Sequence, residues 1–241
     1  MNRMMVRTIT LGTFALVAVL CAARPGRAAD ANPPYPSMAP LDQYLMDRNA
    51  ETAMARSAAP PSVSKDATVL VLGRHGYEPA VEGKNGFVCV VERAWTGAFD
   101  NNPEFWNPKN RGPLCFNPPA ARTVLPITFM RTKFVLAGQS KDEIHESMKA
   151  AVEKKELPEV APDAMTYMLS KQGHLNDRAG HWVPHLMFYV PLKDAKTWGA
   201  GAPDSPILVN PHFNGAPEPV TEFMVPVSEW SDGTPASTDH H

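Results

Sequence analysis

Apolar positions change period along the chain, and each period predicts an element. Between Leu41 and Ala58 they recur at helical spacing, with Leu41, Tyr44 and Leu45 followed by Ala50, Ala53 and Met54, until Pro60-Pro61 stop the run. "ATVLVLG" (67–73) is continuous, apolar and β-branched, the pattern of a buried strand, and "GFVCVVERAW" (86–95) reads as a second one. The "VEGKNG" between them supplies turn residues, so the two are expected to pair as a long-looped hairpin. "FDNNPEFWNPKNRGPLCFNPP" (99–119) has no period, and its prolines at 103, 108, 113, 118 and 119 argue against a helix interior or a central strand. It is expected to be a wrapping loop pinned by Phe105 and Trp106.

Asn117 is placed to cap a helix that has Pro118 at its first position. Ser140 with Glu143 forms a capping box ahead of Ile144, Met148, Ala151 and Val152, with Lys154 and Lys155 at the C-terminal dipole and Leu157-Pro158 as the stop. From Ala164 the pattern returns to strands: "AMTYMLS", "WVPHLMFYVPL", "PILVN" and "PVTEFMVPV". Strands, then helices, then strands without βαβ alternation predict an α+β fold. It should be a single domain over 41–230 with a mainly antiparallel sheet, two to three helices and long Pro-rich loops.

The ends of the chain change this picture. Arg3 and Arg7 precede an apolar run from Ile9 to Ala23 and then small residues, the layout of a secretory signal peptide over 1–28 with cleavage after Ala28. Residues 29–40 read as a flexible tether and 231–241 as a disordered tail. Removing residues 1–28 takes four arginines and no acid from 23 Lys+Arg and 25 Asp+Glu, leaving 19 against 25 and a formal charge of −6. Nothing in that balance invites nucleic acid as a partner, and no later run is long and apolar enough for stable membrane insertion. A periplasmic or secreted location follows. Cys89 and Cys115 are then the remaining cysteines, and in an oxidising compartment an even pair reads first as a disulfide, with two buried thiols as the alternative.

Several motifs invite a reaction and fail on their context. Arg74-His75-Gly76 after a strand matches the triplet of histidine-nucleophile phosphatases, but Glu78 would repel phosphate and no late His-Asp pair exists. A polar turn with Gly76 at positive φ accounts for it. Ser62-Val63-Ser64-Lys65 matches the Ser-x-x-Lys of penicillin-recognising enzymes, but the further elements come in the wrong order. Glu78 and Glu82 share a loop and read as a solvated surface.

"HLNDRAGHWVPH" (174–185) concentrates three of the eight histidines. His181 and His185 have the i, i+4 spacing of a helical zinc site, yet Pro184 and the following "HLMFYV" place them on a strand, where such residues lie roughly 13 Å apart. What survives is a site built across elements. His185 shares a face with Met187 and Tyr189, and with Tyr167 from the neighbouring strand and His174, Asp177 or His75 from loops it is a candidate for lining a ligand pocket. No metal is expected; if one binds, His185, His174 and His75 are its candidate ligands.

"GRHGYEPAVEGKNGFVCVVERAW", "FWNPKNRGPLCFNPPAA" and "SKQGHLNDRAGHWVPHLMFYVPL" resemble an uncharacterised family of exported bacterial proteins, over about Leu41 to Gly233. The resemblance implies export and one domain; it brings no activity, cofactor or catalytic residue. The leading expectation is therefore an exported protein that binds a small molecule or acts with an envelope protein, its cofactors unknown. The alternative is a periplasmic hydrolase using a histidine-lined, metal-dependent or metal-free pocket. A structural module using Phe105 and Trp106 as contacts is a third.

Overall fold

In a computed structural model the described residues are 33–100, 102–178, 180, 183–192, 194–209 and 216–236. The signal-peptide segment, His181 and residues 237–241 lie outside them. Eight strands form one sheet in the order β2-β1-β3-β4-β5-β6-β8-β7. They are β1 (Thr68–Gly73), β2 (Gly76–Val81), β3 (Val88–Glu92), β4 (Gly112–Phe116), β5 (Met165–Met168), β6 (His185–Pro191), β7 (Leu208–Val209) and β8 (Val220–Pro226). The helical segments are α1 (Arg48–Arg56), the single turn α2 (Pro61–Ser64), α3 (Pro118–Thr123), α4 (Leu125–Leu136) and α5 (Lys141–Glu153). The fold is α+β, its sheet antiparallel at every pairing except β1 with β3.

That exception corrects the expected hairpin. Gly73 pairs with Gly76, so Arg74-His75 make a two-residue turn, and Gly76 at φ 123 adopts the backbone this tight reversal needs. "GYEPAV" thus becomes β2 on the sheet edge, where the missing N–H of Pro79 leaves no ladder gap. The chain then returns to the start of β1, and β3 runs parallel to it through Thr68↔Val88 and Val69↔Cys89. Gly83 makes the return possible, because a Cβ there would sit 2.2 Å from the backbone of Ala67 and Thr68.

The second correction is β4, a central strand containing Pro113. Cys89 and Cys115 face each other across β3 and β4 with Cα atoms 4.0 Å apart, the spacing of a pair that exchanges no backbone hydrogen bonds. Val91↔Pro113, two positions along, is of the same type, so the proline nitrogen points away from β3. On that side β5 pairs only with Cys115 and Phe116, and Gly173 packs against Pro113 instead. The ladder therefore loses nothing at the proline. Cys89 and Cys115 form a disulfide.

Two apolar layers flank the sheet. Ala55, Ala58 and Ala59 let α1 and its C-terminal turn lie close against Val69, Cys89, Val91 and Cys115 on one face. On the other, α3, α4 and α5 cover Val90, Leu114, Phe116, Met187 and Met224. Asn117 caps α3 by accepting from Ala120 N–H, and Ser140 and Glu143 form the expected capping box of α5. Phe105 and Trp106 are core residues, with the Tyr44 hydroxyl donating to the Trp106 carbonyl, which removes them as surface contacts. Tyr35, Met38 and Ala39 of the expected tether pack on the same core, and residues 231–236 of the expected tail form a turn with Ser231 N–H on the Leu169 carbonyl. No helix among the described residues is long and apolar enough to cross a membrane.

Candidate functional site

The covered face of the sheet does not fill completely. Between β3, β4, β6 and β8 below and α4 above lies a cavity of about 550 Å³, within the range of small-molecule sites. Strand alternation decides its floor: Glu92 from β3, Gly112, Leu114 and Phe116 from β4, His185, Met187 and Tyr189 from β6, and Glu222 and Met224 from β8. The N-cap residue Val124 and, within α4, Ile127, Thr128 and Arg131 follow at helical spacing as the roof. Asn102, Glu104, Asn110, Asn176 and Arg178 border it from the loops. At Gly112 a Cβ would lie 3.7 Å from Glu92 and Met168 atoms, so the absent side chain leaves room without being sterically required.

Buried ion pairs hold this space open. Arg131 forks onto Glu218 with contacts of 2.8 and 3.0 Å, donates to the Thr96 and Gly97 carbonyls at 3.0 and 2.7 Å, and stacks over Phe99. Arg93 is equally consumed, by Glu51 at 2.9 Å and by the carbonyls of Tyr44 and Val91. Both guanidinium groups are spent on fixing the wall. Their carboxylates are fully desolvated, so each pair depends on its hydrogen bonds for compensation.

Glu92 is different. Its Oε1 meets the Thr128 hydroxyl and its Oε2 lies 3.0 Å from the Thr96 hydroxyl, whose oxygen is also 2.8 Å from the Arg93 carbonyl. A carbonyl can only accept, so the single Thr96 proton is drawn to Arg93. A proton on Glu92 Oε2, donated to Thr96, then completes all three contacts. Burial pushes the Glu92 carboxyl up from its ordinary range against the lowering pull of Thr128, Thr96 and Arg131, in the same direction as the proton count.

Tyr189 lies deeper. Its hydroxyl is 3.2 Å from Thr166 Oγ1, and burial, then the neighbouring Glu222, raises it well above the ordinary phenol range. His185 is 2% exposed, and its Nδ1 lies 2.7 Å from the Val183 carbonyl. A carbonyl can only accept, so in this contact Nδ1 is the donor.

The residues singled out in the sequence are only partly brought together. His185 lines the cavity on the face shared with Met187 and Tyr189. Tyr167 pairs with Leu186, which puts it on the opposite face against Phe87; on the face of His185 the β5 residues are Met168, paired with His185, and Thr166, paired with Met187. The one-residue difference reverses the face because side chains alternate. His174 and Asp177 sit together in the β5–β6 connection, Nε2 to Oδ1 3.1 Å, outside the cavity lining. Asp177 also accepts from Tyr35 and Lys109, and the Tyr35 hydroxyl is the main cause of a carboxyl held well below its usual range. His75 is exposed in the β1–β2 turn, and β3, β4 and β5 stand between β1 and the strand of His185. Arg74 and Glu78 beside it are engaged by Asp42 and Arg48. The three candidate metal ligands therefore do not converge, and among the described residues no group of three or more His, Cys, Asp or Glu is placed to hold a metal ion.

Glu92 and Glu222 are the residues that sequence reasoning passed over. Each is a lone acid in an apolar strand, "VCVVE" and "VTEFMV", and that incongruity was the available signal. Arg131, within the apolar "LPITFMRTKFVL", is a third instance. Comparison with protein-family models, curated proteins and solved structures finds no match for the chain.

Proposed function

We propose that this is an exported, periplasmic or secreted protein that holds one small apolar molecule in the cavity between α4 and the sheet. The single observation that carries the reading is the cavity itself: apolar walls, a few convergent polar groups, and a frame fixed by two buried ion pairs. Export draws its support from the N-terminal pattern, the family resemblance and the disulfide. The test uses N-phenyl-1-naphthylamine, whose fluorescence rises in an apolar site. Saturable one-to-one binding is expected in the wild type and its loss in Gly112→Leu, whose side chain must enter the cavity, with an unchanged circular-dichroism spectrum. Binding that is absent from the wild type, or that survives the blocked cavity, contradicts the proposal.

Hydrolysis is a second reading, favoured by one observation: a buried histidine, His185, lines the cavity with its ring oriented by the contact of Nδ1 with the Val183 carbonyl, and histidine is the commonest general base. Turnover of chromogenic esters that is abolished by His185→Ala would replace binding with catalysis.

A further inference from the structure

The polar groups of the cavity restrict what its ligand can carry. A carboxylate- or phosphate-headed molecule would need a cation on the floor. The two guanidinium groups that reach the floor and roof, Arg93 and Arg131, are each bound by a buried glutamate and by backbone carbonyls. Arg178 is exposed and stands with Glu104 on the loop border, away from the floor and roof. Glu92, in contrast, lines the cavity with no ion-pair partner among the described residues, where its hydrogen-bonding neighbours are the hydroxyls of Thr96 and Thr128. Oε1 uses one of its two lone pairs on Thr128, so it can accept a second donor from within the cavity.

Building on the small-ligand reading, we infer that the cavity selects an apolar molecule whose polar end is an N–H-bearing ammonium, held by Glu92 as a carboxylate. Alkylamines and arylalkylamines are the class this describes. In the empty cavity Glu92 satisfies its surroundings by keeping a proton. When the ammonium enters, that proton leaves to solvent, the Thr96 hydroxyl shares its hydrogen between Arg93 and Oε2, and an N–H⁺···O⁻ bond forms at Oε1. No covalent bond changes. The exchange replaces a neutral acid in an apolar site by a hydrogen-bonded ion pair, so selectivity comes from the charge of the ligand and binding strength from its apolar body.

The exchange is linked to pH, and several groups face Glu92. Arg131 and Thr128 approach it from α4, Thr96 from the following turn, Tyr77 from β2 and Tyr189 from β6, while His185 and Glu222 border the same space. Acidification leaves Glu92 protonated, which disfavours a cation.

Isothermal titration with decylammonium, 1-decanol and decanoate, all below their aggregation limits, tests this. Near neutral pH the wild type should bind decylammonium at least about tenfold more tightly than 1-decanol, the margin of one charge-assisted hydrogen bond, with decanoate weakest. In Glu92→Gln the amine advantage over 1-decanol should disappear. On the wild type alone, the amine-to-alcohol ratio should rise between about pH 5 and about pH 8, a range above the ordinary glutamate value. Equal binding of amine and alcohol, preference for decanoate, a preference that survives in Glu92→Gln or a ratio flat with pH overturns the ammonium assignment and leaves the small-ligand reading standing. Failure of all three ligands overturns both.

Discussion

Glu92→Gln yields a stability measurement whose sign depends on the protonation state read from geometry. In the folded protein the carboxyl sits among Thr128, Thr96 and the Arg93 carbonyl, an arrangement completed by one proton on Oε2. A glutamine reproduces it, with its carbonyl accepting from Thr128 and its amide donating to Thr96. Burial raises the folded pKa above the unfolded one. The contribution of Glu92 to stability is therefore fully present below the unfolded value of about 4.3 and is lost as pH rises through the folded value. Each unit of elevation costs the wild type about 1.4 kcal/mol once Glu92 is ionised, whereas the variant has no proton to lose. Urea unfolding of both proteins at a series of pH values isolates this, because all other titrations cancel in the difference. At about pH 4 the two should agree within roughly 1 kcal/mol, one neutral hydrogen bond. As pH rises the variant should become progressively the more stable. A variant less stable than the wild type by about 1–3 kcal/mol at every pH, the cost of breaking a bonded charge, would refute the proton count.

Reducing Cys89–Cys115, or replacing both by serine, should lower unfolding free energy by roughly 3–4 kcal/mol, from closure of a loop with a sequence separation of 26, as read by denaturation with and without a reductant. Arg131→Met strands Glu218 in the interior and should cost about 3–5 kcal/mol in urea unfolding, with much of the loss recovered when Glu218→Leu is added. The stability that Asp177 draws from Tyr35 is present above the unfolded carboxylate range and is lost as pH falls, so Asp177→Asn should lower thermal stability near neutrality and flatten its decline on the acid side, the two proteins converging at low pH.

How much of this was written in the sequence differs between elements. The capping box at Ser140–Glu143 and the Asn117 cap are local signals, and local chemistry decided them. The β5–β6 hairpin and the common face of His185, Met187 and Tyr189 followed from alternation. β2 and β4 escaped because their prolines argued against strands, and what permits each proline is long-range: an edge for Pro79, a ladder ending beside Gly173 for Pro113. Tyr167 was placed on the wrong face by one residue, since register depends on the partner strand. The cavity was illegible for a similar reason. Its acids, Glu92 and Glu222, are 130 positions apart and meet the α4 roof only through the sheet order.

The claim that the cavity is a ligand site is tested most directly by the methionine methyl groups. Met168, Met187 and Met224 line the cavity, whereas Met46 and Met54 pack on the opposite face of the sheet. In protein carrying ¹³C-labelled methionine methyls, titration with 1-decanol should shift the first three resonances together, saturating at one equivalent, and leave Met46 and Met54 in place. Shifts confined to Met46 and Met54, or no shift at a concentration that saturates N-phenyl-1-naphthylamine fluorescence, would contradict it.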